Sequence, residues 1–367
     1  MRICKSPMLG GRAIVCTSCQ NHHYVYNSCG HSHCPICQSI KREQWIDKLK
    51  NNLLNVPYVH MIFTLPHQLN GLARANKKII YSLILKTSWA VVKNISKSND
   101  NIGGLPGMVS VLHTFGSDMK YHIHTHNLVT FGALELENNT WKKPKRKDKI
   151  ARYRQINSLY KKLFLQALKQ QYQEGKITYY MNYQQVEEMV KNITWVVHNT
   201  KPTLDTNILE GYLARYINRI AISNSKVEYL KDQAYVKLIY NDYRNQNHGQ
   251  AAPQKHKLLD PFVFINQFLQ HVLPPYFQKT RRYGLHSSAS KKKYKELMPQ
   301  NLNRQADVVR TVIQIVSKLI NNLPYSCQKC QSETFQIVIV KPNKNWIHQY
   351  INVPNSRSPP KSSYIPC

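Results

Sequence analysis

Nothing in this chain limits its fold more than the placement of its cysteines. Five of the nine fall between Cys16 and Cys37, as Cys16-x-x-Cys19, the single Cys29 and Cys34-x-x-Cys37. Cys327-x-x-Cys330 is a third pair, and Cys4 and Cys367 stand alone. A disulfide framework would need an oxidising compartment, and the opening residues do not read as a secretory signal. Paired CxxC turns in a reducing compartment read as zinc. Each turn offers two thiolates to one tetrahedral ion, so Cys16, Cys19, Cys34 and Cys37 are expected to hold a structural Zn²⁺ with no position left for water. Cys29, His31 and His33 are spare donors, which leaves the ligand set open. Cys327 and Cys330 are a weaker signal, because no second pair follows them.

The remaining chain is long enough for one or two further domains with cores of their own. Apolar spacing predicts a helix from about 41, a buried strand over 57–66 and a helix over 71–98. Residues 107–134 read as two strands around Gly116-Ser117-Asp118. A basic loop over 141–149 precedes a helix over 151–173. A short strand over 194–202 and a helix over 205–223 come next, the latter capped by Asp205 or Thr206. Residues 226–240 alternate as strands, 241–260 read as a polar linker, and 261–274 as a helix ended by Pro274-Pro275.

Charge narrows the choice of partner. Lys and Arg number 51 against 19 Asp and Glu, a formal net charge of +32. Such an excess favours a polyanion. No apolar run reaches membrane-spanning length, so nucleic acid is preferred over a membrane surface. Lys142, Lys143, Lys145, Arg146, Arg281 and Arg282 are the expected phosphate contacts.

Two constellations carry chemistry. In "YHIHTHNLVTF" (121–131), His122, His124 and His126 share one strand face, with Ile123, Thr125 and Asn127 on the other. Same-face imidazoles can bind one divalent ion. His113, on the paired strand, is an alternative third ligand to His122. In the helix over 205–223, Tyr212 and Tyr216 lie about 40° apart, between an apolar stripe and the guanidiniums of Arg215 and Arg219. An ion on histidines polarises a phosphodiester, and a nearby phenolate can attack it.

These segments together resemble the two-tyrosine rolling-circle transposases of IS91-type bacterial insertion sequences, within the HUH endonuclease superfamily. The matching stretches run in family order: "CTSC…NSCGHSHCPICQ" (16–38), "PYVHMIFTLPHQLN" (57–70), "LHTFGSDMKYHIHTHNLVTFGAL" (112–134), "WVVHNTKP" (195–202), "GYLARYINRIAISNSKV" (211–227) and "FLQHVLPPYFQKTRRYGL" (268–285). The resemblance implies an α+β fold: a central antiparallel sheet flanked by helices, an N-terminal zinc ribbon and a C-terminal helical, basic extension. It implies a zinc-binding, DNA-binding domain over 1–45 and a catalytic domain over 46–240. A basic domain over 241–340 with a second CxxC element and a disordered tail over 341–367 complete the expected plan.

It further implies that His124 and His126, helped by His122, hold Mg²⁺ or Mn²⁺, and that Tyr212 and Tyr216 are the nucleophiles. The implied substrates are single-stranded DNA at transposon ends and target DNA, and the implied setting is the bacterial cytoplasm, associated with the nucleoid. Two points depart from the family pattern: "GHSHCP" replaces a more basic stretch, and Thr125 stands where a bulky apolar residue is usual. The chain also starts past a helical segment that usually precedes "MRICKSPMLGGRAIV", which reads as a shortened copy. A non-catalytic zinc-ribbon DNA-binding protein, and a replication initiator or relaxase of the same superfamily, are the competing readings. Only the catalytic ones need the histidine row and the tyrosine helix together.

Overall fold

The computed structural model describes residues 4–31, 34–205, 221–246, 250–288, 291–297, 299, 302 and 326–342. Tyr212, Arg215, Tyr216 and Arg219, and with them most of the expected helix over 205–223, lie outside the described residues, as do His33 and Cys367. The chain divides into two compact units, one of residues 1–50, 218–220 and 307–367, the other of 51–217 and 221–306.

The first unit holds β1 (Gly11–Cys16), β2 (His22–Tyr26), α1 (Pro35–Lys50) and β13 (Phe335–Val340). The strands form an antiparallel sheet in the order β13-β1-β2. Gly11 lets β1 and β2 approach, since a Cβ there would lie 2.2 Å from the Val25 carbonyl oxygen. The amide of Lys5 donates to the Asn27 carbonyl at 3.2 Å, which draws Cys4 beside the Cys29 segment. Residues 335–340, "FQIVIV", are rich in β-branched side chains, and their pairing with β1 joins residues more than 300 positions apart.

The second unit is built on a five-stranded antiparallel sheet. It comprises β3 (Tyr58–Thr64), β4 (Gly107–Phe115), β5 (Tyr121–Thr130), β8 (Val197–Asn199) and β12 (Thr280–Gly284), in the order β12-β4-β5-β3-β8. Every residue of β4 is buried, because both faces of the sheet are covered there. The hairpin turn closes with the Gly116 amide on the Lys120 carbonyl at 3.0 Å, and Met119 takes the left-handed conformation at φ 60°. Period-two alternation then separates two chemistries. Phe63, paired with Thr125, and Met61, paired with Asn127, face one way. His60, Ile62, His124, His126 and His113 face the other.

Helices α2 (Asn70–Ala75), α3 (Lys77–Lys97), α4 (Tyr153–Gln173) and α5 (Tyr183–Lys191) cover the apolar face. Phe63, Tyr160, Phe164 and Trp195 interlock there, with ring centroids 5.0 to 6.3 Å apart. Ser88 of α3 meets Thr125 of β5 at 3.0 Å, so the polar residue between His124 and His126 is tied into the helical layer. This is the α+β arrangement expected, a central antiparallel sheet flanked by helices.

Two smaller sheets decorate the unit: β6 (Ala133–Glu135) with β7 (Thr140–Lys142), and β9 (Val227–Leu230), β10 (Tyr235–Asn241) and β11 (Gln254–Leu259). β11 overturns the reading of 241–260 as linker. Its mostly exposed "QKHKLL" carries little apolar signal and becomes a strand by pairing with β10. The helix Pro261–Gln270 follows, capped by Asp260, whose Oδ1 accepts from the amides of Phe262 and Val263. Among the described residues no helix is long and apolar enough to cross a membrane.

Candidate functional site

β5 carries the histidine row through the middle of the sheet. His124 and His126 are buried, while His122 is exposed. Their rings follow one another at centroid distances of 4.8 Å, as the shared face predicts. The third member of the buried group is His113 of β4, opposite His124 in the ladder, with its ring 4.6 Å from that of His126. The donor nitrogens of His113, His124 and His126 lie within 4.8 Å of one another. His122 falls outside this trio. Directly opposed residues on paired strands stand about 5 Å apart at Cβ, closer than same-face neighbours along one strand, which favours His113.

Hydrogen bonds set which nitrogens face inward. Nδ1 of His124 lies 2.9 Å from the His122 carbonyl, which can only accept. Nδ1 of neutral His124 therefore carries the proton, and Nε2 offers a lone pair. That lone pair points at Nε2 of His126, 3.0 Å away. Either neutral His126 donates its Nε2–H to that lone pair, or a metal ion stands between the two nitrogens. Two nitrogens about 2.1 Å from an octahedral ion lie about 3.0 Å apart, so the spacing suits a metal. His60 of β3 supplies the other half of the arrangement. Its Nε2 lies 2.9 Å from Nδ1 of His126, and the rings stack at 5.1 Å. When His126 turns its lone pair inward, His60 accepts the Nδ1 proton. The sequence placed His60 in a buried strand and gave no register to bring it against His126.

A groove of ≈ 920 Å³ opens beside His122. Its walls include Asn70, Arg74, Lys120, Tyr121, Tyr240 and Tyr243. Arg74 lies over the Tyr121 ring at 4.8 Å, and the Tyr121 hydroxyl meets that of Tyr81 at 2.6 Å. Burial pushes the Tyr81 and Tyr121 phenols up, so neither is an acid at neutral pH. Asp118 and Asp242 also line the groove, Asp118 beside Lys120 at 3.4 Å, so it mixes cations, carboxylates and aromatic rings. Of the basic residues singled out from sequence, Lys142, Lys143 and Lys145 line a second groove, where Lys142 pairs with Glu135. Arg281 donates to Ser82 at 2.8 Å, and burial lowers the Arg282 guanidinium.

The cysteines of the first unit correct the expected zinc set. Cys34 and Cys37 do not join Cys16 and Cys19. They gather with Cys4 and Cys29, whereas Cys16 and Cys19 gather with Cys327 and Cys330. Cys34 and Cys37 sit at the start of α1, Cys29 is five residues before Cys34, and Cys4 is brought in by the pairing of its segment with that of Asn27 and Cys29. In this group Sγ of Cys37 lies 3.4 Å from Cys4 and 3.6 Å from Cys29. Four sulfurs about 2.3 Å from a tetrahedral ion stand about 3.8 Å apart, so the donor set fits zinc.

Comparison with known proteins sets the chain beside transposases. Residues 107–293 match the family described as "Putative transposase", and residues 1–65 match "Transposase zinc-binding domain". The chain is 30% identical over 293 residues to "Putative transposase y4qJ" of Sinorhizobium fredii (strain NBRC 101917 / NGR234), covering 77% of this chain and 72% of that one. It is 26% identical over 289 residues to "Transposase for insertion sequence element IS801" of Pseudomonas savastanoi pv. phaseolicola, covering 77% and 68%. No solved structure matches.

Proposed function

Because this chain belongs to the transposase family of IS91-type bacterial insertion sequences, with both its core and its zinc-binding domain, we propose that it cuts and transfers one DNA strand through a covalent tyrosine intermediate. Its substrates in this reading are single-stranded DNA at the element's ends and the target DNA. His113, His124 and His126 hold Mg²⁺ or Mn²⁺, oriented by His60, and Tyr212 and Tyr216 are the nucleophiles. A divalent ion bound there withdraws charge from the oxygens of the scissile phosphate.

The protein's part is as follows. A tyrosine phenol gives up its proton and its oxygen bonds to phosphorus. The P–O3′ bond breaks, and the departing 3′ oxygen takes up a proton. The products are a 3′-OH and a 5′-phosphotyrosine, which keeps the phosphoester available for attack by another 3′-OH. A second tyrosine allows a second cut while the first remains loaded. Arg215 and Arg219 match phosphate oxygens with their guanidinium forks. The groove of Arg74, Lys120, Tyr240 and Tyr243, which opens beside His122, supports a path for the strand.

The buried histidine trio carries this reading, with two Nε2 atoms turned on each other at 3.0 Å. A non-catalytic DNA-binding protein has no use for three imidazoles converging inside a sheet. The test is incubation of the purified chain with Mn²⁺ and a single-stranded oligonucleotide from the element's end. A covalent protein–DNA adduct is expected, abolished when Tyr212→Phe and Tyr216→Phe are combined and when His124→Ala is made alone. An adduct that survives the double tyrosine variant overturns the nucleophile assignment.

A further inference from the structure

The two groups of four cysteines are not equivalent, and the second is the informative one. Cys16-Thr-Ser-Cys19 and Cys327-Gln-Lys-Cys330 fold identically. The amide of Gln20 donates to the Cys16 carbonyl at 2.9 Å, and that of Gln331 to the Cys327 carbonyl at 2.7 Å. The amide of Cys16 donates to the Asn21 carbonyl at 2.8 Å, and that of Cys327 to the Ser332 carbonyl at 2.7 Å. The residue after each second cysteine is left-handed, Gln20 at φ 57° and Gln331 at φ 59°. These are two copies of one turn, each presenting two sulfurs to the same point.

Across that point, Sγ of Cys16 lies 3.6 Å from Cys330, and Sγ of Cys19 lies 3.5 Å from Cys327. A disulfide needs about 2.05 Å, whereas a tetrahedral tetrathiolate holds its sulfurs about 3.8 Å apart. The side-chain amide of Asn21 donates to the Cys327 sulfur at 3.8 Å, the kind of contact that stabilises a metal-bound thiolate. β1 and β13 pair immediately beyond, starting from Cys16 opposite Phe335.

We infer that the chain binds two zinc ions, and that the second is held jointly by Cys16 and Cys19 near its start and by Cys327 and Cys330 near its end. The zinc-binding element is therefore not an N-terminal module alone, because half the ligands of this site lie outside the matched residues 1–65. A single ion then ties together segments more than 300 residues apart. This assignment is independent of the histidine and tyrosine chemistry.

The test uses the full-length protein. Metal analysis should find two zinc ions per chain, falling to one in Cys330→Ser. In that variant Cys16, Cys19 and Cys327 should become open to alkylation while Cys4, Cys29, Cys34 and Cys37 stay protected. One zinc per chain in the unaltered protein, or protected Cys16 and Cys19 in Cys330→Ser, overturns the inference. Should that variant not fold, stepwise chelation of the unaltered protein followed by alkylation decides the matter. Cys330 is exposed, so Cys16, Cys19, Cys327 and Cys330 should react first and as a block. Cys16 and Cys19 reacting together with Cys34 and Cys37 overturns it.

Discussion

His60 and His122 show how little a side chain's position in sequence says about its task. His122 stands in the histidine row, but it is exposed, and its contribution to His124 comes from the backbone carbonyl. His60 lies 66 residues from His126 and fixes which of its nitrogens faces the site. Outer partners of this kind typically alter metal affinity 10–100-fold. His60→Phe keeps a buried ring without the acceptor, and should weaken Mn²⁺ binding by about that factor in a calorimetric titration. His122→Ala keeps the carbonyl and should change the same affinity by no more than about twofold. Equal losses in both variants would return His122 to the ligand set and remove His60 from its orienting role.

Among elements, the helix Pro261–Gln270 is anchored to the β4–β5 hairpin by its C-terminal neighbour His271. Its Nε2 donates to the Met119 carbonyl at 3.0 Å, and its Nδ1 accepts from the Thr114 hydroxyl at 3.3 Å. Burial, with Lys77 and Arg74 nearby, lowers the imidazole below its ordinary value of 6.5. The folded chain then binds this proton less readily than the unfolded chain. The stability it contributes is full above the unfolded value and is lost as pH falls toward the folded one, with a slope of up to about 1.4 kcal/mol per pH unit. The melting temperature should therefore drop on acidification below about pH 6.5, and His271→Asn should flatten that drop. An unchanged acid slope in the variant would show that other groups carry it. The other elements differ in how plainly they announce themselves. β3 is legible because it is apolar and bounded by Pro57 and Pro66, and β5 because its faces alternate after the Gly116-Ser117-Asp118 turn, whereas β11 has little apolar signal and exists through its partner.

At the scale of the whole molecule, a net charge of +32 favours a polyanion whatever the fold. Neutralising 6–10 phosphates makes affinity fall about 10³–10⁵-fold between 50 and 200 mM salt. Filter binding of a single-stranded oligonucleotide should show that steepness, and a flat salt response would exclude a backbone-tracking contact. The metal-binding residue types the structure gathers were readable from sequence alone: CxxC turns and a period-two histidine row. Individual strands and helices were readable too, because hydrophobic period and turn residues are local properties, while the class of fold came from the family resemblance. Partnership was decided only by the tertiary structure. Strand register set His113 against His124 and His60 against His126. Pairing of β1 with β13 set Cys327 and Cys330 against Cys16 and Cys19, and left Cys34 and Cys37 to gather with Cys4 and Cys29. The physical reason is the same in both cases. A ligand set is a matter of distances of 3 to 4 Å in space, and a chain that folds back on itself brings such neighbours from any separation along its length.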